Sequence, residues 1–375
     1  MKTQLRRFPI GLAVVVGIVH LAAGVSAAEA QYFGRNKVQY RSFDFQVLAT
    51  EHFDVYFYEE EREAATHAAR MAERWYARLS RLLDADLRGR QPLILYASHP
   101  HFEQTNAIPG QIGEATGGVT EPLKRRVVLP MAGPLSETDH VVGHELVHAF
   151  QFSLSGVDPG SPMYRVPGAL RLPLWMIEGM AEYLSVGPRS TQTSMWMRDA
   201  LREEDLPSIR DLGDPRSYFP YRFGHALWAW VAGEHGDRAV SDAYRAAAGG
   251  GSAGSALSMV LGAPVDSLTR RWHEALRGTY APVLERTDSA GAFGEAIVTR
   301  ESSGGATNVG PVISPDGERM IFLSERSMFA IEMYLADAET GEVIRRITRT
   351  AVDPHYQSLQ FLNSAGAWSP DGGRF

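Results

Sequence analysis

The spacing of apolar residues along this chain changes twice, and each texture predicts a different kind of element. Between His52 and Tyr58 apolar and polar side chains alternate, with Phe53, Val55 and Phe57 on one face, as in a β-strand. Residues 60–87 then place Ala, Met, Trp and Leu at helical intervals, predicting a long amphipathic helix. Pro92–Ala97 reads as another strand, and Gly117–Pro130 as one or two more. From Ser136 to about Leu284 the apolar spacing is helical, with short Gly and Pro breaks, and Ser136–Asp139 offers capping side chains for the first of these helices. Strands followed by a helical remainder make an α+β plan. After about Gly291 the texture becomes turn-rich with short apolar runs.

Candidate chemistry sits in the helical region, in His144-Glu145-Leu146-Val147-His148. Residues four apart lie on one helix face, so both imidazoles can point at one metal ion. Glu145, about 100° round the helix, can reach a water at that metal without ligating it. The competing reading is a buried helix with two hydrogen-bonded histidines. Downstream, Trp175–Tyr183 places Glu178 and Glu182 four residues apart among apolar neighbours. Carboxylates in such a segment are costly to bury unless something positive faces them, and a metal held by His144 and His148 would do so. Otherwise they form a solvated stripe. His99 and His101 precede another apparent helix without ligand spacing, and His235 reads as structural or surface.

Taken together, H-E-L-V-H and the later W-M-I-E-G-M-A-E-Y resemble the gluzincin clan of metallopeptidases, in particular the peptidase MA-like domains, over about Phe53 to Leu284. The resemblance implies a zincin-like fold holding one Zn2+ through His144, His148 and Glu178, the last matching the glutamate of the clan's E-G-x-A signature. It implies Glu145 as catalytic base. It implies Glu182 as an outer acid that holds a ligand histidine in the right tautomer. Tyr221-Arg222-Phe223-Gly224 resembles the Y-x-K-G of the aminopeptidase branch, whose tyrosine donates to the oxyanion; here Phe223 replaces the lysine. Tyr218 and His225 are alternative donors, and Tyr221 as a core or interface aromatic is the competing reading. The clan also holds substrate by strand addition to an edge strand ahead of the zinc helix, for which Arg126–Pro130 is the candidate.

In the last part, Ser314-Pro315-Asp316-Gly317 precedes an apolar run, and Ser369-Pro370-Asp371-Gly372 repeats it. Proline fixes φ and glycine accepts the open dihedral, so each reads as a turn leading into a strand. S-P-D-G-x-x-[IM]-x-F resembles the repeats of TolB-like propellers, from about Gly310 onward, and implies a partner-binding surface. A pair of hairpins in a small sandwich is the alternative. A propeller has typically four to eight blades, so the expectation is an incomplete all-β propeller segment in a chain cut within it. A native end with a partly paired tail is the other reading.

The beginning of the chain says where this chemistry takes place. Lys2, Arg6 and Arg7, the apolar run Phe8–Val25 and Ala28-Glu29-Ala30 form a secretory signal peptide, predicting export to the periplasm or cell envelope. Uncleaved, the segment would anchor the chain, which is the one membrane link expected. With no cysteine there is no disulfide, thiolate zinc site or lipid-attachment thiol. A net charge of -7 gives no reason to invoke nucleic acid, and Lys124-Arg125-Arg126 reads as a solvated turn at a strand start. The expected organisation is a signal peptide (1–30), a zinc metallopeptidase domain (31–285), a linker (286–309) and truncated propeller repeats (310–375).

These readings converge on an exported zinc-dependent metallopeptidase acting on peptide or protein. Endopeptidase is favoured, because no recognisable amine-binding acidic motif precedes the zinc helix. The alternatives are a periplasmic propeller interaction protein with a non-catalytic zinc domain, and a zinc hydrolase of a non-peptide amide or ester.

Overall fold

The architecture is α+β: a mixed sheet, a helical layer that carries the candidate site, and a separate antiparallel sheet. The computed structural model describes residues 37–349 and 366–375, except 38, 109, 111, 114, 115, 123, 132, 157–171, 328 and 329. The expected signal peptide, residues 1–30, lies outside the described residues.

The first sheet is built from β1 (Gln46–Ala49), β2 (Phe53–Phe57), β3 (Gln91–Tyr96), β4 (Val119–Glu121) and β5 (Arg126–Pro130), in the spatial order β1-β2-β3-β5-β4. β2, β3 and β5 run parallel, with Leu93 opposite Val127, while β1 and β4 are antiparallel edges. Strand alternation divides two cores. Phe53, Val55, Leu93, Leu95, Val127 and Leu129 face the helices, whereas Ile94, Tyr96 and Val128 join Tyr58, Phe102 and Val119 on the other side. Burial on both faces suits the parallel strands.

Helix α1 (Arg62–Leu83) crosses over between β2 and β3, and α2 (His99–Glu103) follows β3. α1 stops short of the expected residue 87 because Asp84 adopts a left-handed conformation at φ 47°, its N–H returning to Ser80 O. His99 and His101 lie within α2, not ahead of it. The strand expected at an edge, Arg126–Pro130, is interior. The chain reverses after Glu121, with Arg125 at φ 55°, and lays β4 along the outer side of β5. The Arg126–Glu121 ion pair of 2.7 Å ties the two strands together at that reversal. Among the described residues, the edge on this side of the sheet is therefore β4.

The helical part comprises α3 (Leu135–Leu154), α4 (Leu174–Val186), α5 (Thr191–Arg202), α6 (Pro220–His235), α7 (Asp237–Ala248), α8 (Ala253–Leu261) and α9 (Val265–Leu284). α3 starts directly after Pro134, whose φ of −56° and ψ of 147° turn the chain into the helix. Ser136–Asp139 thus lie inside the helix rather than ahead of it, and no side chain caps it. α3 packs on α1 where Gly143 makes room for the Trp75 indole: a Cβ there would sit 2.6 Å from the ring. α4 and α6 meet more closely still. A Cβ on Gly179 would lie 2.4 Å from the Gly224 backbone, and one on Gly224 2.3 Å from Trp175 O. Trp175 and Trp228, both fully buried, pack beside this crossing with ring centroids 5.8 Å apart. No described helix is long and apolar enough to cross a membrane.

Beyond α9, a short helix, α10 (Arg300–Ser303), leads to β6 (Asn308–Ile313), β7 (Arg319–Ser327), β8 (Ala330–Asp337) and β9 (Val343–Arg346), an antiparallel meander around Met320, Phe322, Tyr334 and Ala336. β6 begins two residues before the expected Gly310. Val298, within the stretch expected as linker, packs on the same cluster. The two Ser-Pro-Asp-Gly turns share one hydrogen-bond pattern. Ser314 Oγ donates to Asp316 and accepts from Arg319 N–H at 2.9 Å; Ser369 does the same with Asp371 and Arg374 N–H, also 2.9 Å. Gly317 and Gly372 both take positive φ, 80° and 67°.

Candidate metal centre

α3 and α4 cross so that three side chains converge. His144 and His148 project from one face of α3 and Glu178 from α4, with Glu178 Oε2 at 3.2 Å from His144 Nε2 and 3.3 Å from His148 Nε2. Around a tetrahedral ion with bonds of about 2.0–2.1 Å, neighbouring ligand atoms stand about 3.4 Å apart. The donor set and its spacing therefore fit one divalent metal ion.

Two amide contacts orient His148. Gln151, one turn further along α3, gives its Nε2–H to Ile177 O at 2.9 Å, which turns its Oε1 to His148 Nδ1 at 2.8 Å. His148 Nδ1 must then carry a hydrogen, leaving Nε2 to face Glu178. Outer partners of this kind set ligand tautomer and geometry. Sequence reasoning missed Gln151, although its i+3 spacing from His148 on one helix was available as a signal.

Glu182 lies one turn beyond Glu178 and is buried. Its Oε1 is 3.6 Å from His144 Nδ1 and 3.6 Å from His140 Nε2, both longer than a hydrogen bond, and its firm partner is Arg222 of α6 at 2.9 Å. His144 Nδ1 is buried without a hydrogen-bond partner, and Glu182 is the acceptor nearest to hand. Neither His140 nor Arg222 stood out in the sequence. His140, His144 and Glu182 also form a second group with metal-ligand spacing, but Arg222 competes for Glu182 there.

The charges in the cluster reinforce one another. Burial works against ionising Glu178, yet the neighbouring His148 and His144 hold its carboxyl far below the usual range. Burial likewise opposes a charge on His148, and Glu178 outweighs it, raising the imidazolium to about 9. Glu182 is held down at about 2 against burial, by His140, His144 and Arg222.

Glu145 points from α3 toward β4. Thr120 Oγ1 lies 2.7 Å from its Oε2 and 2.9 Å from its backbone carbonyl. Gly118 lets the strand come this close, since a Cβ there would stand 2.9 Å from Glu145 Cγ. Tyr221, in the first turn of α6, stacks on His144 with ring centroids 5.8 Å apart at 12°. Burial first, then Glu178, Glu145 and Glu182, raise its phenol far above the usual value, so it remains a hydrogen donor. The two alternative donors are engaged elsewhere: Tyr218 with Asp205 at 2.9 Å, and His225 Nε2 with Gly187 O at 2.8 Å.

No protein-family model matches the sequence, and a search of curated proteins finds no relative.

Proposed function

We propose that this chain is an exported zinc-dependent peptidase with a gluzincin-type, zincin-like domain. The observation that carries the reading is the convergence of His144 Nε2, His148 Nε2 and Glu178 Oε2, with Glu145 and Tyr221 on either side. When bound, zinc supplies Lewis-acid activation of a water molecule and of the substrate carbonyl. Glu145 accepts the water's proton at Oε2, where Thr120 orients it, and returns it to the leaving amine. Tyr221 donates its phenolic hydrogen to the negative charge developing on the carbonyl oxygen, an interaction typically worth about 2.7–4 kcal/mol. The free edge of β4, which carries Thr120, offers backbone groups for antiparallel pairing with an extended peptide. Binding along a strand in mid-peptide favours an endopeptidase.

The remaining parts of the reading stand on other residues. Residues 1–30 support export to the periplasm or cell envelope. The Ser314 and Ser369 turns, alike in hydrogen bonding, belong in this proposal to a TolB-like propeller segment, for which a protein partner is proposed. The test is Glu145→Gln against wild type, scored for zinc content and for hydrolysis of a mixed peptide library. Zinc retained with hydrolysis abolished is expected. Near-normal turnover in the variant refutes Glu145 as base, and zinc retained with no cleavage by either protein favours a non-catalytic zinc domain.

A further inference from the structure

Beside the metal centre, aromatic rings lead outward to the surface. Tyr221, stacked on His144, packs against Phe219 at 5.2 Å, and Phe219 against Trp196 of α5 at 5.4 Å. Phe219 and Trp196 are each 40% exposed, and Met195 is 54% exposed. Trp196 also lines a cleft of about 740 Å³ between α5 and the end of α9, with Met195, Val283 and Leu284 as its apolar lining. Arg198, Asp199, Arg202 and Thr287 complete it, and among the described residues neither arginine makes an ion pair. Large apolar side chains gathered at the surface next to a reactive centre mark a binding surface rather than scattered exposure.

We infer that Phe219, Trp196 and the adjoining cleft form a substrate subsite for a large apolar side chain, aromatic above all. This rests on the peptidase reading. The ring-to-ring steps from His144 are 5.8, 5.2 and 5.4 Å, whereas an extended peptide advances about 3.3 Å per residue. The side chain that fills the cleft therefore lies within about five residues of the reacting carbonyl. Offset and tilted aromatic pairs are favourable, and although Phe219 also meets Tyr221 and Trp196 also meets Phe223, both rings keep 40% of their surface exposed, where a further ring can pack. The two arginines add a preference for carboxylate over ammonium groups beside it, moderated by Asp199.

The test uses the zinc-loaded Glu145→Gln protein, so that binding is read without cleavage, and fluorescein-labelled peptides carrying Phe or Ala at each position within five residues of the bond cut by wild type, or of the peptide's centre if none is cut. Fluorescence anisotropy should show Phe preferred about tenfold or more over Ala at one position, the low end of the discrimination that an apolar pocket supplies. Trp196→Ala and Phe219→Ser, on separate elements, should each reduce that ratio to about twofold or less, while Trp196→Phe should keep most of it. No Phe preference at any position, or a preference that survives both substitutions, overturns the subsite. If wild type cleaves nothing but the preference is present and disappears with Trp196, the peptidase reading fails and the subsite stands. Cleavage without any preference has the opposite meaning.

Discussion

Replacing Gly179 with alanine tests the helix crossing on which the site depends. The added Cβ would lie 2.4 Å from both Cα and C of Gly224, whereas carbon atoms in contact prefer about 3.5–4.0 Å, so α4 and α6 must separate by about 1 Å. Neither helix can yield by rotating a side chain, because the clash is with backbone and the flanking Trp175 and Trp228 are fully buried. Overpacking of this kind costs about 1–3 kcal/mol, and a clash with backbone belongs at or above the upper end. Alanine recovers about 1 kcal/mol of helix propensity, leaving a net loss of about 2 kcal/mol. Gly233→Ala is the matched control. It lies on α6 with nothing within 4 Å of a Cβ, so propensity alone acts and the protein should gain up to about 1 kcal/mol. Urea unfolding of both variants measures the difference. The same 1 Å separation displaces Tyr221 from Glu178, and a misplacement of that size commonly costs about 100-fold in turnover. A Gly179→Ala protein as stable as wild type would show that the two backbones are not in contact.

Further predictions concern the metal cluster. Glu178→Ala should remove most bound zinc, whereas Glu182→Ala should weaken affinity or activity by about 10–100-fold; the reverse order, by chelator competition, would mean that their roles are exchanged. Gln151→Leu removes the acceptor at His148 Nδ1 and should weaken zinc binding about 10–100-fold without unfolding the protein, and unaltered affinity would leave Gln151 no part in orienting the ligand. In the metal-free protein Glu178 keeps His148 protonated up to about pH 9, against a usual value of 6.5. The stability contributed by that pair is complete below pH 6.5 and lost as pH rises through about 9. Zinc needs the neutral imidazole, so its binding at pH 7.5 should release a proton and its affinity should rise up to about tenfold per pH unit across the window. Calorimetry in buffers of different ionisation enthalpy reads this directly, and pH-independent binding would refute it.

Much of the local structure was legible because it rests on short-range periodicity. The alternation of Phe53, Val55 and Phe57 predicts β2, and the four-residue spacings of His144 with His148 and Glu178 with Glu182 assign each pair to one helix face. Asp84 shows the limit even there: its left-handed turn, which ended α1 early, depends on a conformation that apolar spacing does not encode. What faces each helix was decided by packing at long range. Gly117–Pro130 reads as one or two strands, but only the reversal at Arg125 separates Val119–Glu121 from Arg126–Pro130 and makes it the edge. Thr120 reaches Glu145, and Arg222 reaches Glu182, across separations over which sequence carries no spacing rule. Gly179 and Gly224 are ordinary helix glycines in the sequence. In the folded chain they are where two backbones touch, and that contact brings Tyr221 against His144: periodicity determines which way a side chain faces, while tertiary packing determines what it meets.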